Sequence, residues 1–289
     1  MENKGKYPKI TVITPSFNQG QFIEETILSI ISQNYPNLEY IIVDGGSTDT
    51  TLDVVDRYKE FVDILISEKD SGQANAINKG FNLATGEIIC WLNSDDMFTS
   101  NALLAVAKAY NSVGFEFLFG DGVKQYEYGF RKGTSRSIKI NTLKPNELTY
   151  RDPFQQPSTF WTRSALNKVG QLDESLHYAF DWDFFNKMDG IASLHYLPKT
   201  LSIYRIHALH KSGDGGVERA REIVDVATRY ADTNYISLYN LVLARHKKIF
   251  KLKNLFKRYT YLAFYLTSPK LYFKVKASDL KFPVRMISS

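Results

Sequence analysis

Glu87-Ile88-Ile89-Cys90-Trp91-Leu92-Asn93-Ser94-Asp95-Asp96 divides in the middle. After Glu87 its first half is a continuous apolar run of strand length. Such a run suits a strand buried on both faces, as in a parallel sheet covered by helices. The run stops at Asn93, and two adjacent carboxylates follow. Open α/β sheets bind ligands beyond the carboxyl ends of their strands, so Asp95 and Asp96 are expected on a loop at that edge. Adjacent carboxylates repel unless a cation neutralises them. A hard divalent ion, Mg²⁺ or Mn²⁺, held by one or two carboxylates together with substrate phosphates fits this arrangement. The same residues also suit a solvated turn in which Ser94 or Asp96 caps the segment starting near Ser100.

Upstream, the chain supplies the partners such a strand needs. Ile10 to Thr14 is a β-branched strand, broken by Pro15-Ser16-Phe17-Asn18-Gln19-Gly20. Phe22, Ile23, Ile27, Ile30 and Ile31 then recur at helical spacing as far as Pro36. Leu38 to Val43 reads as a second strand, closed by Asp44-Gly45-Gly46-Ser47-Thr48-Asp49, and Leu52, Val55 and Tyr58 suggest a second helix. Val62 to Ile66 is a third strand. Glu68-Lys69-Asp70-Ser71-Gly72-Gln73 follows it, with a third helix on Ala74, Ile77, Phe81 and Ala84. The order βαβαβαβ predicts an α/β fold with a mostly parallel, Rossmann-like sheet flanked by helices. All four strand-end loops then fall on one edge. The first turn has no Gly-x-Gly-x-x-Gly and the chain has no Gly-Lys-Ser/Thr phosphate loop, which argues against a dinucleotide dehydrogenase or P-loop NTPase. A nucleotide is still compatible: Asp44 can accept from a base imide N–H, and Gly45 and Gly46 permit close backbone approach. An ordinary turn with a helix cap is the alternative for that loop.

Composition limits the other classes. The 289 residues suit one large domain or two small ones, and 44% hydrophobic content is ample for a packed core. The single cysteine, Cys90, excludes an internal disulfide framework and a cysteine-based zinc site. Met1 to Lys9 is polar and lacks the apolar core of a secretion signal. No stretch approaches 18 uninterrupted apolar residues, so a cytoplasmic protein is expected. The net charge of +5 is unevenly spread: Arg245 to Ser289 carries twelve Lys and Arg against Asp279 alone. The preceding residues hold 24 basic and 30 acidic groups. A general nucleic-acid binder carries basic residues over its body; this chain does not.

Together, Thr-Pro-Ser-Phe-Asn (14–18), Val-Asp-Gly-Gly-Ser-Thr-Asp (43–49), Asp-Ser-Gly-Gln-Ala-Asn-Ala-Ile-Asn-Lys-Gly (70–80) and Asn-Ser-Asp-Asp (93–96) resemble the family 2 glycosyltransferases, inverting enzymes of the GT-A fold that include bacterial polysaccharide and cell-envelope enzymes. Order and spacing match from about Ile10 to about His210. The resemblance implies a nucleotide-diphosphate sugar donor, expected here as a UDP-sugar. The implied donor-binding residues are Thr14, Pro15, Phe17, Asn18, Asp44, Gly46, Asp70, Gly72, Asn75, Lys79, Asn93, Ser94 and Asp95. Among these, Asp44 would contact the base and Asp70 would lie on the nucleotide side. Asp95 and Asp96 match the metal-and-diphosphate motif. Asn93 stands where the family often has a third Asp, which leaves open how many carboxylates touch the ion.

Beyond Ser100 the pattern loosens. Phe115 to Phe119 is a further apolar strand, and Tyr126 to Ile140 reads as hairpins or a flap. The family places its catalytic base in an acidic pair that aligns with Phe180-Asp181, so Asp181 is the expected base, with Asp183 beside it. Two apart on a helix, these carboxylates point to different faces: one can face the acceptor while the other caps or pairs. The other use of this cluster is a helix N-terminus enriched in acids. Leu197 to Tyr204 reads as a strand followed by Arg205, His207, His210 and Lys211. Arg205 and Lys211 are expected to pair with phosphate, and His207 to be a candidate third metal ligand.

The expected organisation is a GT-A domain over 1–215, with a nucleotide-sugar half to about residue 100 and an acceptor half from about 101. A basic helical extension occupies 216–289. In that extension Ile249, Leu252, Phe256, Tyr259 and Ala263 lie at helical spacing among lysines. This suits either peripheral contact with an anionic membrane, on its inner face, or docking on the protein's own core. The expected reaction moves a sugar to a hydroxyl of a glycan or lipid-linked acceptor. The alternatives are a sugar-nucleotide nucleotidyltransferase, for which a Gly-rich basic loop after the first strand is missing, and an inactive sugar-nucleotide or glycan-binding module.

Overall fold

A computed structural model describes residues 7–127, 135–138, 148–149, 152–208, 211, 216–231, 236 and 240. The predicted basic stretch 245–289 and His210 lie outside the described residues. The chain divides into two compact units. The first comprises Met1–Leu143, Phe154–Ser175 and Lys187–Ala208; the second comprises Lys144–Pro153, Leu176–Asn186 and Leu209–Ser289.

The first unit is built on one sheet. Strands β1 (Ile10–Ser16), β2 (Leu38–Asp44), β3 (Ile64–Ser67) and β4 (Ile88–Trp91) alternate with helices α1 (Ile23–Ile31), α2 (Thr51–Asp56) and α3 (Gln73–Leu83). These four strands run parallel in the order β3-β2-β1-β4. The continuous apolar runs follow from burial on both faces: Ile10, Val12, Tyr40, Ile42, Ile88 and Cys90 pack in one core with Ile23, Ile27, Val54 and Val55. On the other side α3 lies close against β1. A Cβ placed on Gly80 would sit 2.4 Å from Ile13 Cγ2, so the absent side chain is what sets the helix-to-sheet distance.

The second half of the sheet is mixed. After β5 (Met97–Phe98) and α4 (Ala102–Val113) come the long β6 (Phe117–Tyr126), β7 (Ser135–Ile138), β8 (Thr159–Thr162), α5 (Arg163–Val169) and, beyond the acidic cluster, β9 (Leu194–Ile206). β8 inserts antiparallel between β4 and β6, while β6 runs parallel to β9 and antiparallel to β7. β6 therefore extends through Gly120-Asp121-Gly122, where the apolar pattern had lapsed, and its residues 122–125 pair with β7, which lies in the segment 126–140 read as hairpins or a flap. The second unit contains residues 180–186 of α6 (Phe180–Asp189) and α7 (Gly216–Tyr230).

At the amino ends of the parallel strands a buried carboxylate ties three segments together. Glu39 on β2 accepts from Lys9 Nζ at 2.7 Å, Thr11 Oγ1 at 2.5 Å and the Thr85 N–H at 2.6 Å, as well as from the Thr85 hydroxyl. Burial pushes this carboxyl up, but the bonds from Lys9, Thr11 and Thr85 outweigh it and hold the group at about 2. A carboxyl depressed in the folded state stabilises the fold above its unfolded value of about 4.3. That contribution, about 3 kcal/mol, is lost as pH falls from there toward 2. Glu39→Gln is therefore expected to lower stability at neutral pH and to flatten the acid limb between pH 4.5 and 2 in denaturant titrations. An acid limb identical to that of the parent chain would contradict the assignment.

Candidate functional site

The parallel register brings the strand ends level: Ser16 pairs with Asp44, and Asp44 with Ser67. The loops leaving these ends are stitched to one another. Asn18, in the left-handed region at φ 52°, donates its N–H to Ser47 Oγ and accepts from the Thr48 N–H through Oδ1. Gln19 and Gly20 donate to Thr51 and Asp49. Phe17, beside them, is 58% exposed. Thr14 and Pro15 are buried, and Thr14 Oγ1 accepts from the Tyr40 hydroxyl.

Asp44 is wholly buried. Its Oδ2 accepts from the Gly46 and Ser47 N–H groups and from Ser67 Oγ, and its Oδ1 accepts from Ser47 Oγ. In this structure the carboxylate is committed to shaping its own loop, with Gly46 at φ 83°. Gly45 gives room to Asp70: a Cβ there would lie 2.6 Å from Asp70 Oδ2. The other oxygen of Asp70 takes the N–H of Gly72, whose φ of 129° only glycine adopts readily. Lys79 pairs with Glu68 at 2.7 Å, and Asn75 donates to Glu174.

At the end of β4 the four residues 93–96 divide the work. Asp95 is half-buried, and its Oδ2 lies 3.0 Å from His207 Nε2. Asp96 is almost fully buried. Its Oδ1 accepts the Arg205 N–H at 3.0 Å, its Oδ2 faces Asn93 Nδ2 at 3.4 Å, and its carbonyl accepts from Thr26 Oγ1. Burial, then the Asp95 charge, push the Asp96 carboxyl well up, against the pull of Arg205 and Asn93. Asn93 accepts from Gln73 Nε2 at 2.8 Å and donates to Gln156 Oε1 at 3.2 Å, while Gln156 in turn donates to the Trp91 carbonyl. An aspartate at 93 could accept from Gln73 but could not donate to Gln156. Ser94 is buried. Gln73 lies within the 70–80 motif and Gln156 outside all four, and the part each plays in this network is visible only in three dimensions.

The donor set suits a hard divalent ion. Metal–ligand distances of about 2.1 Å put neighbouring octahedral ligands about 3.0 Å apart, the separation of Asp95 Oδ2 and His207 Nε2. Among the described residues no three His, Cys, Asp or Glu side chains are grouped for metal binding, and both oxygens of Asp96 face protein donors. Asp95 and His207 are thus the two side chains that could hold such an ion, with room for water and phosphate at the other positions, as Mg²⁺ prefers. The Arg205 guanidinium is 2% exposed and paired with Glu25 and, at 3.2 Å, with Glu127; its charge is already balanced by these carboxylates.

In the second unit the two candidate bases have unlike surroundings. Asp181 is half-buried at the start of α6, with Oδ1 accepting the Trp182 N–H at 2.7 Å. Burial raises its carboxyl, opposed by the Trp182 N–H and the charges of Arg219 and Lys211. Lys211 itself lies over the Phe180 ring, 5.4 Å from its centroid. Asp183 is fully buried and accepts from Arg229 at 2.8 Å and from the Tyr230 hydroxyl at 2.9 Å. It anchors α7. Glu222 on α7 accepts the N–H groups of His177, Tyr178 and Ala179, fixing the turn before Asp181. Nothing in the sequence around Glu222 announces this cap.

Comparison with known proteins fits this geometry. The chain is 34% identical over 125 residues to TuaG of Bacillus subtilis, a protein named for teichuronic acid biosynthesis; the alignment covers 40% of this chain and 50% of TuaG. It is 26% identical over 214 residues to the uncharacterized glycosyltransferase RP339 of Rickettsia prowazekii, covering 70% and 65%. The chain thus spans half to just under two thirds of these relatives. Among solved structures, S. aureus TarS 1-349 in complex with UDP-GlcNAc shares the fold at a TM-score of 0.61 and 20% identity, over 94% of this chain and 76% of that one. The mannosyltransferase PcManGT of Pyrobaculum calidifontis, in complex with GDP-Man and Mn²⁺, does so at 0.58 and 21%, over 96% and 78%. The family model described as Glycosyl transferase family 2 matches residues 11–170, from β1 to the end of α5 and so including the Asp95-Asp96 turn; this chain belongs to that family.

Proposed function

We propose that the protein transfers a sugar from a nucleotide-diphosphate donor, a UDP-sugar, to a hydroxyl of a glycan or lipid-linked acceptor, with inversion and with the help of a divalent cation. The observation that carries the reading is the 3.0 Å pairing of Asp95 and His207 beyond the end of β4 in a chain of this family. The acceptor oxygen attacks the anomeric carbon as the bond to the diphosphate oxygen breaks. Asp181 takes the acceptor proton, its carboxyl raised by burial toward the range of a useful base. A bound Mg²⁺ or Mn²⁺, held by Asp95 and His207, would neutralise charge growing on the leaving diphosphate. Asn93, Gln73 and Gln156 hold the turn that presents Asp95, and Asp96 ties that turn to β9 and α1. The loops at 15–18, 44–47 and 67–72 receive the nucleotide, with Phe17 exposed among them.

Asp181→Asn preserves size and removes the proton acceptor. Turnover is expected to fall about 10²- to 10⁴-fold with donor affinity nearly unchanged. Asp183→Asn should instead lower the melting temperature, because it weakens the anchor to Arg229 and Tyr230. Normal turnover in Asp181→Asn would remove it from the role.

Nucleotide choice is testable by calorimetry with Mn²⁺ present. UDP is expected to bind more tightly than ADP or GDP. Equal affinities would show that the loops do not select uracil.

The basic residues of 245–289 support a further part of the reading, peripheral attachment to an anionic membrane on the cytoplasmic side. Each Lys or Arg near such a surface contributes about 1 kcal/mol. Co-sedimentation with phosphatidylserine vesicles should fall with added salt and on deletion of 245–289. Sedimentation indifferent to both would count against it.

A further inference from the structure

We propose that Phe22, Glu25 and Arg205 form a positioning bracket that holds the His207 ring against Asp95 and thereby sets how tightly the site takes a divalent cation. The inference rests on the metal reading given above and extends it to three residues that touch neither cation nor substrate.

The bracket starts from a buried charge. A guanidinium at 2% exposure has lost its water, and that cost must be offset by carboxylates close at hand. Glu25 supplies one from α1 and Glu127 another at 3.2 Å. Pinned between them, the guanidinium carbon of Arg205 lies 5.2 Å from the centre of the Phe22 ring, within cation–π range. Phe22 in turn packs against His207, with ring centres 4.1 Å apart and planes inclined at 39°. Phe22 and Glu25 are three apart at the start of α1 and so share one face of that helix. Two elements thus meet around one imidazole: the first turn of α1 and the end of β9.

Both elements also hold the neighbouring residue, Asp96. The Arg205 N–H donates to Asp96 Oδ1, and Thr26, the residue after Glu25, donates to the Asp96 carbonyl. Residues 205 and 207 of one segment therefore fix Asp96 and Asp95 respectively. An imidazole ligand needs its ring plane set by outer partners, and removing such partners typically costs 10- to 100-fold in metal affinity. For Arg205 to contact a diphosphate it would have to leave Glu25, Glu127 and the Phe22 ring together. A positioning role keeps all three contacts.

The test uses the full chain, Mn²⁺ and UDP. Histidine coordination to Mn²⁺ appears as nitrogen modulation in pulsed electron paramagnetic resonance, a signal that general loosening of the fold does not imitate. The parent protein should show the modulation and His207→Gln should lose it. Phe22→Leu keeps an apolar side chain but removes the ring face. Glu25→Gln changes one exposed carboxylate and leaves Glu127 to hold Arg205 in the core. Each is expected to weaken the modulation and raise the Mn²⁺ dissociation constant about tenfold. If His207→Gln loses the signal while Phe22→Leu and Glu25→Gln both keep it at parental affinity, the bracket is overturned and the metal reading stands. If the parent shows no nitrogen modulation at all, the metal role of His207 falls and the bracket with it. Should Phe22→Leu fail to fold, Glu25→Gln decides alone, since the Glu25 side chain is 59% exposed.

Discussion

The central strand β1 has no solvent-facing side: all seven of its residues are buried, and parallel neighbours flank it on both edges. A strand in that position can tolerate no slip, because a shift of one residue would exchange the two sets of side chains between faces. The register Ser16 to Asp44 to Ser67 is therefore fixed by the apolar ladder beneath it. So is the level at which β4 ends, since Ile13 pairs with Trp91 and the Leu92 N–H donates to the Ile13 carbonyl. The loops above carry polar groups that would repel or drift if left alone. They are held because their roots are held.

Much of this was legible in the residues. Strands β1 to β4 announce themselves by uninterrupted apolar runs, and the loops between them by glycine, asparagine and aspartate. The second half was harder for a physical reason. β6 continues through Gly120-Asp121-Gly122 because β9 follows it there, with shifts of register on either side of Asp121, and no local propensity signals that. The mixed pairing beyond β4 is likewise set by which strand inserts beside it.

At the candidate site, residue type pointed to which side chains to examine but not to how they pair with one another. Asp95 and Asp96 are identical in sequence terms, yet one meets a histidine and the other is buried beneath a backbone N–H. Arg205 reads as a phosphate partner because it is a cation after a strand; the structure shows its guanidinium buried between the carboxylates of Glu25 and Glu127. Asp181 and Asp183 separate in the same way. Their spacing implied different faces, and the structure shows Asp183 committed to an ion pair with a helix nearly fifty residues on. Glu222 and Gln156 act through contacts of long sequence separation, which no short motif encodes, and the bond from Gln73 to Asn93 joins two motifs whose contact neither encodes alone.

Glu39 and Asp44 lie on one strand, five residues and about 17 Å apart. One closes the lower end of the sheet with a charge network, and the other organises a loop at the upper end. Selection can therefore adjust the two ends separately. A lineage moving into a more acidic habitat could exchange Lys9, Thr11 or Thr85 and alter its tolerance of protons without disturbing the loops at the other end of the sheet. Conversely, those loops could change in sequence while the fold kept its footing. The length of a strand is enough to let endurance and chemistry evolve on separate schedules.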